Sequence, residues 1–284
     1  MKKLLLFIAG VTIINYTFGQ LSAVDYTSKA FAQFKGSKTY IVKMGDAAYD
    51  NSIENAVKNS WKSTSFDFIN KEEFEKKISD KSASFIVPVI IGTKYPSQNY
   101  HYIALINGGR KRLSAYDYDD MLAYAPVNHW VDEPNNTDCA YRIRNIIESM
   151  SDVILIVQKN DIKGNTKNIV GDLKKYYNTK SSAIKNRTLL ICEESMGKKF
   201  NKADVGSVYP YKYEICSKEK LTQIINEKSN EYYYFQPGIT LNKSMFVFDP
   251  SNGEVIYFDY DVSGLYITKK NLQALASTIS GKKK

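Results

Sequence analysis

The sequence predicts an α/β protein, with α+β as the neighbouring class, built as a tandem duplication of one strand-helix-strand-helix-hairpin-helix module. Three observations carry that prediction. Short β-branched and aromatic runs alternate with stretches of helical apolar spacing. Blocks of the chain recur in the same order when the sequence is laid over itself. The 284 residues, 43% apolar and 24% charged, have the composition of a folded protein long enough to close two cores.

The repeat is densest where residues 66–74 lie over 213–221 without a gap. The match continues through Ile78 over Ile225, Lys81 over Lys228 and Ser82 over Ser229, and ends with Phe85-Ile86-Val87 over Tyr232-Tyr233-Tyr234. Residues 38–42 match 187–191 at a slightly larger offset, and 116–119 match 258–261 at a smaller one. The shifts fall between elements, where insertions are tolerated. The resulting boundaries are a leader at 1–19, a first α/β repeat at 20–137, a helical linker at 138–186 and a second repeat at 187–284.

In the first repeat, residues 40–44 read as a strand. A helix over 49–61 follows, because Tyr49, Ile53, Val57 and Trp61 fall on one face. Residues 66–69 form the second strand, and Asn70 caps a helix over 72–78 with Glu72 and Glu73 in its first turn. Residues 85–91 and 102–106 are later strands. Asn107-Gly108 predicts a tight turn into a strand at 113–118. Asp138 caps a long helix carrying Ile143, Ile146, Ile147, Met150, Ile154 and Val157, and Ile169, Leu173 and Tyr176 mark a second linker helix.

In the second repeat, Ser217 with Glu219 repeats the cap of Asn70, and strands at 245–248 and 255–260 flank a turn at Asn252-Gly253. Residues 198–208 lack a clean apolar period, so the first helix of this repeat is short or lost. Leu272, Leu275 and Ile279 give the closing helix.

The N-terminus reads as a secretory signal peptide: Lys2 and Lys3, an apolar run from Leu4 to Ile14, and small residues before a cut expected between Gly19 and Gln20. The run is about half of the roughly 20 residues needed to span a bilayer. The expected location is periplasmic or secreted, without a transmembrane segment after cleavage. The formal charge of +9 comes mainly from scattered lysines, with arginine only at 110, 112, 142, 144 and 187. That pattern argues against nucleic acid as a partner.

Three cysteines, Cys139, Cys192 and Cys216, leave one unpaired in an oxidising compartment. Cys192 and Cys216 end the first two strands of the second repeat, so neighbouring strands would make them a candidate disulfide, against buried free thiols as the alternative. His101 and His129 lack metal-ligand spacing, and no metal site is expected. No Gly-rich phosphate loop, Gly-x-Ser-x-Gly elbow or dinucleotide fingerprint is present, so no cofactor and no catalytic residue is assigned. Asp117 with Asp119, and Asp259 with Asp261, are candidate binding carboxylates because residues two apart share a strand face. The competing reading is the exposed side of a hairpin. Tyr209, Tyr211 and Tyr213 complete the candidate binding set: a half-exposed aromatic face suits protein or glycan partners, and alternating Tyr also suits a plain strand.

Residues 35–42, 61–74 and Tyr209-Pro210-Tyr211-Lys212-Tyr213 give the chain a resemblance to uncharacterised, duplicated, signal-peptide-bearing envelope proteins of the Bacteroidota. In topology alone it is similar to the α/β module of the curli secretion lipoprotein and to the N-terminal domain of the Tol-Pal propeller protein. The chain departs from these in having no lipid-attachment Cys near the expected cut and no propeller repeats. The resemblance implies an envelope setting and brings no catalytic residues with it. The expected function is a non-enzymatic envelope protein binding a protein or cell-wall component. The alternatives are a carboxylate- or His-dependent periplasmic hydrolase and a soluble accessory subunit of a secretion or transport machine.

Overall fold

The computed structural model describes residues 28–91, 100–116, 120–128, 140–159, 166–197, 200–238, 244–260 and 266–281. In chain order the first elements are α1 (Ser28–Lys35), β1 (Lys38–Val42), α2 (Ala47–Ser60), β2 (Phe66–Ile69), α3 (Lys71–Lys77), β3 (Ala83–Ile91), β4 (Tyr100–Asn107), β5 (Met121–Asn128) and α4 (Ala140–Lys159). Then come α5 (Thr166–Asn178), β6 (Thr188–Cys192), α6 (Lys202–Val208), β7 (Tyr213–Cys216), α7 (Lys218–Asn226), β8 (Tyr232–Gly238), β9 (Ser244–Phe248), β10 (Val255–Asp259) and α8 (Lys269–Ile279). The chain divides into two units, Met1–Val170 and Gly171–Lys284.

Each unit holds one five-stranded mixed sheet, and the two sheets have the same order. The first reads β2-β1-β3-β4-β5, and the second, taken from its parallel edge, reads β7-β6-β8-β9-β10. In both, the first strand of the unit lies between two parallel neighbours, and two antiparallel strands extend the far side. The duplicated α/β module is therefore present as two like bodies.

In the first unit, Ile41, Ile86, Ile103 and Leu105 leave one sheet face to pack with Phe34 of α1, Ile53 and Val57 of α2, and Ile146 and Met150 of α4. Val42, Phe85, Val87 and Tyr102 leave the other face to meet Phe74 and Ile78 of the α3 segment. In the second unit, Leu189, Ile191, Phe235 and Val247 pack with Val205 of α6 and Leu272, Leu275 and Ile279 of α8. Burying such side chains contributes about 1.5–3 kcal/mol each, so these clusters hold the layers together. The long helix α4 thus belongs to the core of the first unit, in the place that α8 fills in the second. The expected linker at 138–186 is divided: α4 closes one body, and most of α5 belongs to the other.

Local capping follows the sequence closely. Asn70 Oδ1 accepts from the Glu73 amide at 2.9 Å while Glu73 reaches back to the Asn70 amide, a reciprocal capping box, and Ser217 accepts from Lys220. The helix expected to be short in the second repeat is α6, seven residues against fourteen in α2. Both helices end alike: Trp61 donates its amide to Val57 O, and Tyr209 donates to Val205 O.

Three sequence expectations are corrected. Among the described residues of 113–118, which are 113–116, there is no strand. Leu113–Ala115 is a 3-10 turn, and β4 pairs instead with β5, beginning at Ile106 opposite Met121. The reason is Gly108, whose amide donates to Ala83 O and whose missing Cβ would lie 2.0 Å from Asp80 O. The chain there runs against the α3–β3 connection and makes no two-residue turn. Of the match of 116–119 with 258–261, residues 117–119 and 261 lie outside the described residues, and Tyr116 precedes its strand while Phe258 lies within its own, so these two do not correspond.

The match of 38–42 with 187–191 is one residue out. Ile41 pairs with Phe68, and Ile191 pairs with Ile215, so Ile41 corresponds to Ile191 and Val42 to Cys192. Finally, Ser84 pairs with Thr39 and Tyr233 with Leu189, which moves the β3–β8 correspondence two residues beyond the gapless match. The extra two residues lie in α7, nine residues long where α3 has seven.

Candidate functional site

In an open α/β sheet, ligands collect at the carboxyl ends of parallel strands, where the connections diverge to either side. Here that place follows β1 and β6. In the first unit it is closed by the chain itself: the Asp50 carboxylate accepts from the Met44 amide at 2.8 Å and the Gly45 amide at 3.0 Å. In the second unit the loop after β6 is tied instead to residue 267. Ile267 donates to Ser195 O at 2.7 Å and Gly197 donates to Ile267 O at 3.0 Å. That arrangement leaves a cleft of about 410 Å³ bordered by Glu193, Met196, Phe200 and Lys202. A larger hollow of about 600 Å³ is walled only by residues of the α7 segment, from Lys218 to Glu227, and is a furrow on one helix.

Cys192 and Cys216 lie at this same carboxyl end. They are direct register partners on β6 and β7, both buried and both in the reduced, thiol form. Burial, then the neighbouring Cys192, pushes the Cys216 thiol up to about 12. Such a thiol is un-ionised at neutral pH and a poor nucleophile.

Tyr209, Tyr211 and Tyr213 come together at the opposite, amino end of β7. Their rings make edge-on contacts, 5.4 Å between Tyr209 and Tyr211 and 6.3 Å between Tyr209 and Tyr213. Tyr209 is buried beneath α6, whereas Tyr211 and Tyr213 are half-buried. Desolvation holds the Tyr209 hydroxyl well above the ordinary tyrosine range.

Asp259 stands at the far margin of the sheet, at the end of β10. Its carboxylate pairs with Lys174 and accepts from the Tyr260 amide at 3.0 Å and from Tyr257 Oη at 3.3 Å. The Lys174 ammonium also lies 5.0 Å from the centre of the Tyr260 ring. Its oxygens are thus engaged within the protein. Asp117, Asp119 and Asp261 lie outside the described residues, as do His129, Cys139 and the side chain of His101. The candidate binding set is therefore not one constellation: Tyr209, Tyr211 and Tyr213 sit at one edge of the sheet, and Asp259 at the other. Among the described residues no group of three or more His, Cys, Asp or Glu side chains is placed to hold a metal ion. No helix among them is long and apolar enough to cross a membrane.

Two features escaped the sequence. One is a row of ion pairs, Lys174–Asp259, Lys180–Glu254 and Arg187–Asp249, that joins residues 174–187 to the β9–β10 hairpin. Partners 62 to 85 residues apart leave no local signal. The other is the aromatic parallel edge of each sheet. On β2, Phe66 and Phe68 are half-buried, with Lys43 and Lys58 standing 5.4 and 5.8 Å from the centre of the Phe68 ring. On β7, Tyr213 is half-buried beside Tyr211. The aligned pairs Phe66/Tyr213 and Phe68/Ile215 carried that signal, had edge position been known. Comparison of the chain with protein-family models, with curated proteins and with solved structures gives no match.

Proposed function

We propose that this is an exported, non-enzymatic protein of the cell envelope that binds another envelope protein or a cell-wall component through its tandem α/β modules. The observation that carries the reading is the repeated edge. In both units the outer parallel strand is paired on one side only among the described residues, and it bears half-buried aromatic surface, Phe66 and Phe68 on β2 and Tyr213 on β7. A strand edge offers backbone donors and acceptors, and adjacent aromatic rings add large contact area at small entropic cost.

A photo-crosslinking residue at Tyr211 or Phe68, irradiated in intact cells of the source organism, tests this reading. The expected result is capture of the same envelope component from both edges and none from the exposed Gln273 of α8. Recovery of the chain in the cytoplasm, or equal capture from Gln273, overturns it.

A further inference from the structure

Cys192 and Cys216 are each the last residue of their strand, and each is only 5% exposed. Neighbouring strands lie about 4.7–4.9 Å apart. Direct partners therefore fall within the Cα separation of about 4.4–6.8 Å that a disulfide bridges. Both side chains leave the same sheet face. The alternate residues, Leu189 and Ile191 on β6 and Tyr213 and Ile215 on β7, pack with the cluster on the other face.

The first unit supplies an internal comparison. Val42 and Ile69, the corresponding residues, are also direct partners and are also buried. Packing at this point of the module is met by two aliphatic side chains. Replacing both by thiols, on two strands at one register position, adds nothing to packing that one substitution would not. What the double replacement adds is the capacity to form a bond.

We propose that Cys192 and Cys216 are joined by a cross-strand disulfide when the chain folds in an oxidising medium, the structure here holding the dithiol form. The step is thiol–disulfide exchange with a disulfide of small-molecule or protein class. One cysteine thiolate, after giving up its proton, attacks a sulfur of that disulfide and expels a thiolate. The second cysteine then attacks the mixed disulfide and expels the other. The two cysteines lose two protons and two electrons, and the donor disulfide is reduced to two thiols. Burial sets the order of events. In the folded dithiol the Cys216 thiol is held un-ionised, so the bond forms while β6 and β7 are still assembling and is afterwards shielded from reductant.

The test uses the full chain and does not depend on the proposed function. The protein is unfolded in denaturant with a reductant and refolded in parallel with reduced glutathione alone or with oxidised glutathione present. Both samples are quenched with an alkylating agent and mapped by mass spectrometry without reduction. The expected result is a linked pair of peptides containing Cys192 and Cys216, about 2 Da lighter than their sum, in the oxidised sample alone. Full alkylation of both cysteines after oxidative refolding overturns the proposal. So does a bond from either of them to Cys139.

Discussion

The Arg187 guanidinium donates to Asp249 Oδ2 across 2.8 Å, joining the residue before β6 to the residue after β9. The Asp249 side chain is 6% exposed and that of Arg187 is 28%. The same carboxylate accepts from the Ser251 amide at 2.9 Å and from its hydroxyl at 2.6 Å, which shapes the hairpin turn. The guanidinium also lies 4.6 Å from the centre of the Tyr233 ring. One carboxylate thus anchors a turn and a distant cation together.

Asp249→Ala is expected to destabilise the second unit by about 3 kcal/mol, because it strands a largely buried cation and opens the turn. Asp249→Asn, able to keep the bonds from Ser251, should cost less. Trp61 lies in the core of the first unit, and the second unit's sequence, 171–284, contains no tryptophan. The expected signature in urea is therefore a shifted transition by far-ultraviolet circular dichroism with an unchanged one by tryptophan fluorescence.

Trp61 and Tyr209 end corresponding helices but differ in how their polar atoms are met. Trp61 Nε1 donates to Thr64 Oγ1 at 3.0 Å, whereas Tyr209 Oη is buried with no hydrogen-bond partner among the described residues. Tyr209→Phe removes a desolvated hydroxyl and is expected to raise stability by about 1 kcal/mol, while Trp61→Phe lowers it by about 1–2 kcal/mol. Denaturant midpoints of the two variants check the opposite signs.

Gly108→Ala would place a methyl group 2.0 Å from Asp80 O and 3.0 Å from Ala83 O, both backbone atoms. The expected cost is about 3 kcal/mol or more, since the α3–β3 connection must move. Gly171→Ala in α5 meets nothing within 4 Å and should stabilise by about 0.5–1 kcal/mol. Thermal midpoints distinguish the two.

Glu54 is held between Lys43 and Lys58, whose hydrogen bonds bring its carboxyl down to about 2 from 4.5. A carboxyl with a lowered folded-state pKa contributes stability fully present above its unfolded value. That contribution is lost as pH falls from about 4.5 towards 2. Glu54→Gln is expected to flatten the acid slope of the first unit's stability over that window. Urea titrations followed by tryptophan fluorescence at several pH values measure the slope.

What could be read in the sequence was local. The caps at Asn70 and Ser217, and the face of Tyr49, Ile53 and Val57, depend on residues three or four apart and were visible without the fold. The register of β1 against β6 was not. Both strands bury side chains on both faces, so aliphatic residues alone do not reveal which way each points, and a one-residue slip reverses every face. Pro88 and Pro237 would have fixed the later offset. They lie opposite Ile103 and Met245, past the last pairs that β1 and β6 make with β3 and β8, where no ladder donor is required on that side. The turn expected at Asn107-Gly108 failed because the glycine answers to a close approach by Asp80, 28 residues earlier. At the candidate site, strand ends foretold the Cys192–Cys216 adjacency, whereas the wide separation of the tyrosines from Asp259 followed from sheet order alone.

Both sheets grow outward from the strand that the ribosome makes first. β1 is flanked by β2 and β3 before any antiparallel strand exists, and β6 is served in the same way by β7 and β8. Every named ladder joins strands of a single unit, so neither borrows a strand from the other. The leading body can therefore complete its pairing without waiting for the trailing one, with only short-lived exposure of its central strand to misassociation.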